Sequence, residues 1–494
     1  MSRLRNNHST TRSGIVACAM TTAASAGIDD SAASVHARRR TVFILWTTYA
    51  SFYFCRVNFG PAVPSIRRAL GFSALEMGLV LGAVKLGYAL GQLVNGQLTE
   101  RYGARRILSI GMLGSCAVSL LLASVPALTT LPGLGGAAAA LGIAIAWAAH
   151  GLGLEVAASA PLAVMLVLAF TNGWFQSCGW PPCVKIAARW IPLHRRGRMM
   201  GILGTSYTFG SAVAIALVGG LLHLSGGAWQ VAFSVPAVVL AASFVHTSLR
   251  LREEPPRAAA PSDAVHRANP GAGPAKLGPD RLPVREALAA TLGNPRIWVL
   301  AFGLFGLDAV RYGFLDWAPG HLAEVHGTGA LSAALKTAVF PLAGGLGTLS
   351  SGWLTDRFFQ SRRAPVCVFL LVGVGALTLV YRVVVGVGAV PTVICLALAG
   401  FCLYGAQILL VGTAAQDFAR RGATAAAAGF VDFTGHLGAF SGDVVTGWML
   451  KRYGWSGAIT WWAFAAFAAA ALVSTLWGAR GSDVSPVGAA QPDA

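Results

Sequence analysis

Long apolar stretches alternate with short polar loops along most of this chain. Six apolar stretches occupy about 41–64, 72–98, 105–125, 161–183, 198–222 and 229–250. Six more occupy about 296–320, 331–355, 365–386, 390–415, 424–449 and 457–478. A helix rises about 1.5 Å per residue and needs about 20 apolar residues to cross a bilayer, so each stretch predicts one transmembrane helix.

The polar segments divide these twelve spans into two halves. We predict a disordered basic cytoplasmic tail over 1–40, a first half over 41–250, a cytoplasmic linker over 251–295, a second half over 296–478 and a disordered tail over 479–494. Residues 126–160 interrupt the first half with an apolar run bounded by Pro132, His150 and Glu155. That stretch could be a longer third helix, a re-entrant segment or a thirteenth span, and we favour a long non-cytoplasmic insertion.

Composition supports a polytopic membrane protein. Of the 494 residues, 55% are hydrophobic and 11% are charged, against about 25% charged in soluble domains. Lipid cannot satisfy exposed backbone groups, so the fold is expected to be all-α. The sequence has no CxxC pair, no nucleotide-binding loop and no nucleophile–base or metal constellation. We therefore expect no enzyme activity, no cofactor, no metal site and no ATP-driven pumping.

Basic residues mark the orientation of the spans. The net charge of +18 comes mostly from short clusters between apolar stretches, as positive-inside topology predicts, and not from a face for nucleic acid. With twelve spans most clusters fall on one side, which places both termini in the cytoplasm. Two pairs, Arg67–Arg68 and Lys451–Arg452, fall on the other side. The Ala/Gly/Arg bias indicates a bacterial inner membrane.

Two arginines lie in the middle of apolar spans. Arg56 is about fifteen residues into the first span, and Arg311 is central in the seventh, 255 residues later. A charge at mid-depth costs at least ~2.5–3.5 kcal/mol, so it usually faces a polar cavity or an anionic partner. Because Gly96 and its loop recur at Gly352 with nearly the same offset, we predict a duplicated six-helix unit. Parallel halves of this kind hold substrate at their interface, which here predicts an anion site.

The recurring loop resembles the signature of the major facilitator superfamily. It reads Gly96-x-x-x-Glu100-Arg101-x-Gly103-x-Arg105-Arg106 and recurs as Gly352-x-x-x-Asp356-Arg357. The charges Glu100, Arg101, Asp356 and Arg357 could form a network that breaks as the halves rock, or could simply anchor the loops. A finer resemblance is to the organophosphate:phosphate antiporters. It rests on Tyr49 to Pro64, Gly179 to Trp190, Arg311 to Leu322 and Gly429 to Trp448.

That resemblance implies that Arg56 and Arg311 grip the substrate phosphate. A guanidinium is permanently charged and binds phosphate oxygens in pairs, so two such groups suit inorganic phosphate and a phosphate ester alike. The alternative is that either arginine is locked in an ion pair, with Asp308 three residues before Arg311 as the obvious partner.

Further positions are assigned by the same resemblance. Aromatic pocket positions are matched by Tyr49, Tyr53, Tyr88, Trp180 and Tyr404. Tyr207 and His436 replace a family histidine and tyrosine, and a family lysine aligns with Gln92, while Lys85 lies two turns earlier. We count Lys85 among the substrate-binding residues and expect it, with Asp316, to adjust the local charge. Asp432, four residues before His436, could form a proton-sensitive switch with it or merely orient its ring.

The resemblance implies a monomeric secondary transporter in the lipid bilayer that exchanges a small organic phosphate for inorganic phosphate by alternating access. Two alternatives stay open from the sequence. One is a membrane sensor of a sugar phosphate, and the other is a proton-coupled carrier of a different small organic anion.

Overall fold

The computed structural model describes residues 32–191, 193–255, 284–359, 362–419 and 423–479. Within these ranges the side chains at 32–34, 193–198, 284, 356 and 413–416 are not described. Most of the two predicted tails and of the linker lies outside the described residues, and so does the side chain of Asp356.

The first half has nine helices longer than one turn in the described ranges, besides the single turn Val125–Leu128. They are α1 (Ala32–Phe52), α2 (Phe59–Leu70), α3 (Ala74–Tyr102), α4 (Ala104–Ala123), α5 (Leu134–Gly151), α6 (Ala160–Gln176), α7 (Trp180–Trp190), α8 (Leu193–Leu224) and α9 (Val231–Arg250). A 3₁₀ turn, Tyr53–Cys55, joins α1 to α2, so the first span is broken at its arginine. The sixth and seventh helices similarly form one span in two pieces.

The second half repeats this plan after a short helix, α10 (Val284–Leu292). It consists of α11 (Pro295–Tyr312), α12 (Ala318–His326), α13 (Ala330–Phe358), α14 (Arg363–Val384), α15 (Ala389–Ile408) and α16 (Thr424–Ser474). A π-helical turn, Gly313–Trp317, joins α11 to α12 directly after Arg311. The last helix contains two spans, because Gly454 has a φ of 66° and turns the chain.

The prediction of an all-helical bundle with twelve spans in two halves is confirmed. Eleven helical stretches in the described ranges are long and apolar enough to cross a membrane. That number includes α5, counts α16 once and leaves out the broken first span. Counting α16 twice, adding the first span and setting α5 aside gives the twelve.

Helix α5 packs against the start of α6, at the end of the first half where α3 begins. A Cβ on Gly142, in the middle of α5, would touch the backbone of Ser159, which caps the first turn of α6. Near the end of α5, Ala146 and His150 line the same pocket as Ser73, the N-cap of α3. Helix α5 is itself long and apolar enough to cross a membrane, so the choice between an insertion and a further span stays a prediction. The domain boundaries themselves stay predictions.

The two halves approach most closely at the end where α3 begins, which we call the closed end. A Cβ on Gly78 would come within 2.5 Å of the backbone oxygen of Asp443, and one on Gly447 within 2.4 Å of that of Ala74. Glycine at these positions lets α3 and α16 meet backbone to backbone. At the other end, the linker end, Gly96 and Gly352 have no such neighbour within 4 Å among the described residues.

We expect Gly78→Ala to destabilise this arrangement, because the added methyl group meets backbone that cannot rotate away. Overpacking of this kind costs about 1–3 kcal/mol. Thermal unfolding of the purified protein should show a lower midpoint. The control is Gly136→Ala on α5, where a Cβ meets nothing within 4 Å. An unchanged midpoint for Gly78→Ala would contradict the close contact.

Candidate functional site

A cavity of about 100 Å³ lies between the halves at mid-depth. It is lined by both central arginines and by aromatic rings from each half. The lining residues are Tyr49, Tyr53, Arg56, Tyr88, Trp180, Tyr207, Arg311, Tyr312, Gln407, Ile408, Val411, Asp432 and His436. Nine of the residues singled out in the sequence are among them. Tyr404 lies just behind this surface, with its ring 5.2 Å from the Arg311 guanidinium carbon.

The break in the first span positions Arg56. Both Arg56 and Val57 donate their backbone N–H to the carbonyl of Tyr53, which tightens the chain before α2 begins. The carbonyl of Cys55 accepts a hydrogen bond from Asn172 Nδ2 at 2.8 Å, so it is satisfied despite the break. Irregular backbone at this depth is tolerated where protein groups satisfy it, as they do here.

Neutral groups hold the Arg56 side chain. Its Nε donates to Gln176 Oε1 and its Nη2 to the backbone oxygen of Gln176, both at 3.2 Å, while Nη1 donates to the Tyr53 hydroxyl at 3.1 Å. The ring of Tyr88 lies 4.4 Å from the guanidinium carbon. A guanidinium has five N–H groups, so these contacts leave two for a ligand. Arg56 has no carboxylate within 4 Å among the described residues.

A buried polar chain supports Gln176 from behind. Gln176 Nε2 donates to Ser115 Oγ at 2.7 Å, and that hydroxyl donates to Asn172 Oδ1 at 2.6 Å. All three side chains are fully buried. The sequence analysis did not identify them. The available signal was two amides four residues apart, 172 and 176, in an otherwise apolar span, where polar groups are costly.

Arg311 has a different environment. It is 3% exposed and lies among the rings of Tyr207, Tyr312 and Tyr404, with ring centroids 5.0–5.8 Å from its guanidinium carbon. Its Nη1 is 3.6 Å from Asp308 Oδ1, which is longer than a hydrogen bond. Within the described ranges, neither oxygen of Asp308 accepts a hydrogen bond. The ion pair with Asp308 that the sequence offers as an alternative is therefore present, as a buried contact longer than a hydrogen bond.

Tyr88 links the arginine side of the cavity to an acidic side. Its ring stacks on His436 with centroids 4.3 Å apart and an angle of 21° between the planes. His436 Nδ1 lies 2.9 Å from the backbone oxygen of Asp432 and 3.8 Å from its carboxylate Oδ1. Because a carbonyl only accepts, Nδ1 carries the proton in this contact, and the backbone of Asp432 orients the ring.

Lys85 lies outside the cavity lining and joins the two halves instead. On α3, its Nζ forms ion pairs with Asp316 and, at 2.9 Å, with Asp443 Oδ2, both from the second half. The indole of Trp317 donates to Asp443 Oδ1 at 3.0 Å. Every member is at most 5% exposed. We call Lys85, Asp316 and Asp443 the latch. Lys85 and Asp316 were predicted from the sequence, whereas Asp443 was not.

A second link between the halves lies at the rim of the closed end. Lys451 Nζ bonds Glu155 Oε2 at 2.8 Å, which joins α16 to the loop after α5. The hydrogen bond from Lys451 holds the pKa of the fully exposed Glu155 carboxyl below its usual value. This pair accounts for one basic residue that departs from the orientation rule.

At the linker end the charges are organised around Glu253, which the sequence analysis did not identify. Its carboxylate accepts the backbone N–H groups of Ala104 and Arg105 at the start of α4, and Arg189 Nη1 at 2.8 Å. Partial burial alone raises the pKa of Glu253, but these donors hold it below its usual value. Glu100 pairs with Lys185 at 3.1 Å.

The charges of the recurring loop show no contact between the halves in the described ranges. Arg101 and Arg357 are both exposed, and the Arg101 guanidinium lies 5.3 Å from the Tyr102 ring. Among the described side chains, no group of three or more His, Cys, Asp or Glu residues is arranged to hold a metal ion.

Comparison with known proteins identifies the family. The sequence model described as "Major Facilitator Superfamily" matches residues 45–443. The chain is 31% identical to the glycerol-3-phosphate transporter of Bacillus subtilis, over 85% of this chain and 88% of that protein. It is 25% identical to a probable hexose phosphate transport protein of Chlamydia trachomatis, over 89% and 90%. It is 27% identical to the membrane sensor protein UhpC of Escherichia coli, over 85% and 88%.

A solved structure shares the fold. It is the inward-facing, unoccupied form of a bacterial homologue of the human lysosomal transporter Spinster, with a TM-score of 0.61 and 16% identity. The match covers 89% of this chain and 95% of that one. At this identity the likeness concerns the fold alone.

We expect Gln176→Glu to weaken anion binding at Arg56, because the new carboxylate would pair with the guanidinium in place of a ligand. A buried charge pair that a ligand must disrupt costs about 2 kcal/mol or more, or about 30-fold in affinity. Titration of the purified protein with inorganic phosphate measures the loss. The control, Gln97→Glu, adds the same charge at an exposed position outside the cavity. Unchanged phosphate affinity in Gln176→Glu would show that Arg56 does not hold the anion.

Proposed function

The chain belongs to the major facilitator superfamily, and we propose that it exchanges a small organic phosphate for inorganic phosphate across a membrane. The observation that carries this proposal is the pair of arginines in one cavity, one from each half. Arg56 is braced by neutral partners, and Arg311 touches a carboxylate only at 3.6 Å. Both guanidinium groups can therefore face one phosphoryl group.

The names of the relatives supply the substrate class. Proteins that match this chain over most of its length carry glycerol 3-phosphate or, by their names, hexose phosphates. Inorganic phosphate and a phosphate ester present the same oxygens to paired guanidinium groups, so one site can serve both in turn. The rings of Tyr49, Trp180 and Tyr207 line the remaining surface and suit the organic part of an ester.

Alternating access is supported by the asymmetry of the two ends. The latch and the glycine contacts seal the closed end, and the cavity extends along Ile408 and Val411 toward the linker end. Access from the other side requires the latch to open and the linker end to close. We propose that the linker end is cytoplasmic, because the basic residues Arg105, Lys185 and Arg189 lie there. We also propose that one chain suffices, since both arginines come from it.

A second candidate function is sensing, which the similarity to a membrane sensor protein favours. A sensor would bind the phosphate ester in the same cavity without sustained exchange. Measurement of flux separates the two, because binding without flux indicates a sensor.

We expect proteoliposomes loaded with phosphate to exchange it for external labelled phosphate. Arg56→Ala and Arg311→Ala should each lower this exchange by about 30-fold or more, since loss of a buried charge-assisted contact costs about 2 kcal/mol or more. Arg382→Ala is the control, because that arginine is exposed and bonds only the Thr460 hydroxyl among described contacts. Full exchange in both arginine variants would refute the assignment.

Removing the cation of the latch should open the closed end. In Lys85→Met, Asp316 and Asp443 lose the partner that they share, and breaking a buried ion pair in this way costs about 3–5 kcal/mol. A cysteine introduced at Ala330, beside the first half at the closed end, should then react faster with a membrane-impermeant maleimide. Asp417→Asn is the control, because Asp417 pairs with Arg363 at the linker end. Equal labelling rates in the two variants would contradict a gating role for the latch.

A further inference from the structure

The charges in the cavity do not leave an excess of positive charge for a phosphate. Arg56 and Arg311 contribute two positive charges, and Asp308 and Asp432 contribute two carboxylates close to them. The latch cannot supply the difference, because it holds one lysine against two aspartates. A phosphate ester with two negative charges would therefore leave this region negative unless the ligand carries a positive charge or a side chain of the region takes up a proton.

Asp432 is the carboxylate in contact with the cavity space. It lines the cavity, and its side chain is 18% exposed. In the described ranges, no arginine or lysine nitrogen lies within 4 Å of the Asp432 carboxylate. The nearest ring nitrogen, His436 Nδ1, is 3.8 Å from Asp432 Oδ1. The proton on His436 Nδ1 points to the backbone oxygen of Asp432 and not to the carboxylate. The amide of Gln92, from the first half, also approaches the carboxylate, but it is neutral.

The cavity therefore has a positive group at one end and a negative group at the other. Arg56 lies at one side of the Tyr88 ring at 4.4 Å, and the His436 ring stacks on Tyr88 with centroids 4.3 Å apart. Beyond His436 lies Asp432, whose carboxylate Oδ1 is 3.8 Å from His436 Nδ1. A small ligand that bridges these positions meets the Arg56 guanidinium at one end and the Asp432 carboxylate at the other, with aromatic rings between them.

We propose that the organic substrate carries an ammonium group in addition to its phosphoryl group, and that Asp432 accepts hydrogen bonds from this ammonium. This inference rests on the proposed function and specifies the substrate class of the same cavity. The phosphoryl group binds at Arg56 and Arg311. A charge-assisted hydrogen bond to a carboxylate is about twice as strong as a neutral one, and the faces of Tyr88 and Trp180 also attract a cation.

The opposite account is that a proton on His436 balances Asp432, so that the substrate needs no positive group. The two accounts predict different relative affinities for esters with and without an ammonium group. A proton on His436 serves every ester equally, whereas Asp432 discriminates between an ammonium group and a methyl group of the same size.

The test is the thermal stabilisation of the purified full chain by matched esters. O-phosphoethanolamine and n-propyl phosphate differ only in an ammonium in place of a methyl group, and glucosamine 6-phosphate and glucose 6-phosphate form a larger pair. In at least one pair, we expect the ammonium ester to give half-maximal stabilisation at a concentration at least about tenfold lower than the ester without the ammonium group. Equal or better binding of the ester without the ammonium group in both pairs would overturn the inference. The absence of binding by all four esters would also overturn it.

Variants connect any preference to Asp432. The relevant ratio is the half-maximal concentration of the ester without the ammonium group divided by that of the ammonium ester. This ratio should fall to about one in Asp432→Asn and stay above one in Asp432→Glu. Glu324→Gln, which removes a carboxylate that bonds Trp455 outside the cavity, should keep the wild-type ratio. If Asp432→Asn does not fold, Gln92→Glu should raise the ratio instead, since it adds a second carboxylate beside Asp432. A wild-type ratio in Asp432→Asn, or no increase in Gln92→Glu, would assign the preference elsewhere and overturn the inference.

Phosphate exchange in proteoliposomes is measured separately. Loss of exchange with a clear ammonium preference in binding would remove the exchange function and keep this inference. Exchange without an ammonium preference in binding would keep the exchange function and remove this inference.

Discussion

The structure depends on the burial of two guanidinium charges at the middle of a membrane protein. Burial without partners would be prohibitive, so each arginine has its own support. Arg56 receives neutral acceptors from Gln176 and Tyr53, and Arg311 is surrounded by aromatic rings with one loosely placed carboxylate. Supports of this kind hold both guanidinium groups at the cavity without bonding all of their N–H groups. This arrangement supports the proposed anion-binding site between the two halves.

The same constraint explains the breaks in the spans. The chain is interrupted beside Arg56 by a 3₁₀ turn and directly after Arg311 by a π-helical turn. Irregular turns of these kinds are frequent at functional sites, because they re-aim side chains that a regular helix would hold on one face. The break beside Arg56 is stabilised by Asn172, which belongs to the same polar chain that braces the arginine. The turn beside Arg56 and the proposed anion site thus depend on one set of buried amides.

Much of this could be predicted from the sequence, because it depends on periodicity and on the cost of charge in lipid. The spans, the repeat and the central position of Arg56 and Arg311 follow from those two facts. The partners of Arg56 did not follow, since Gln176 is 120 residues away and its role depends on packing. Asp443 was missed for the same reason, and Lys85 was assigned to the substrate although two aspartates hold it. Glu253 bonds the start of a distant helix, a contact that no local pattern announces.

The most direct measurement is the location of a heavy phosphate analogue, such as tungstate, by anomalous diffraction from crystals of this protein. The account predicts one strong site between the halves, with oxygens about 2.8 Å from nitrogens of both Arg56 and Arg311. A site that contacts only one of these arginines, or that lies outside the cavity, would contradict it.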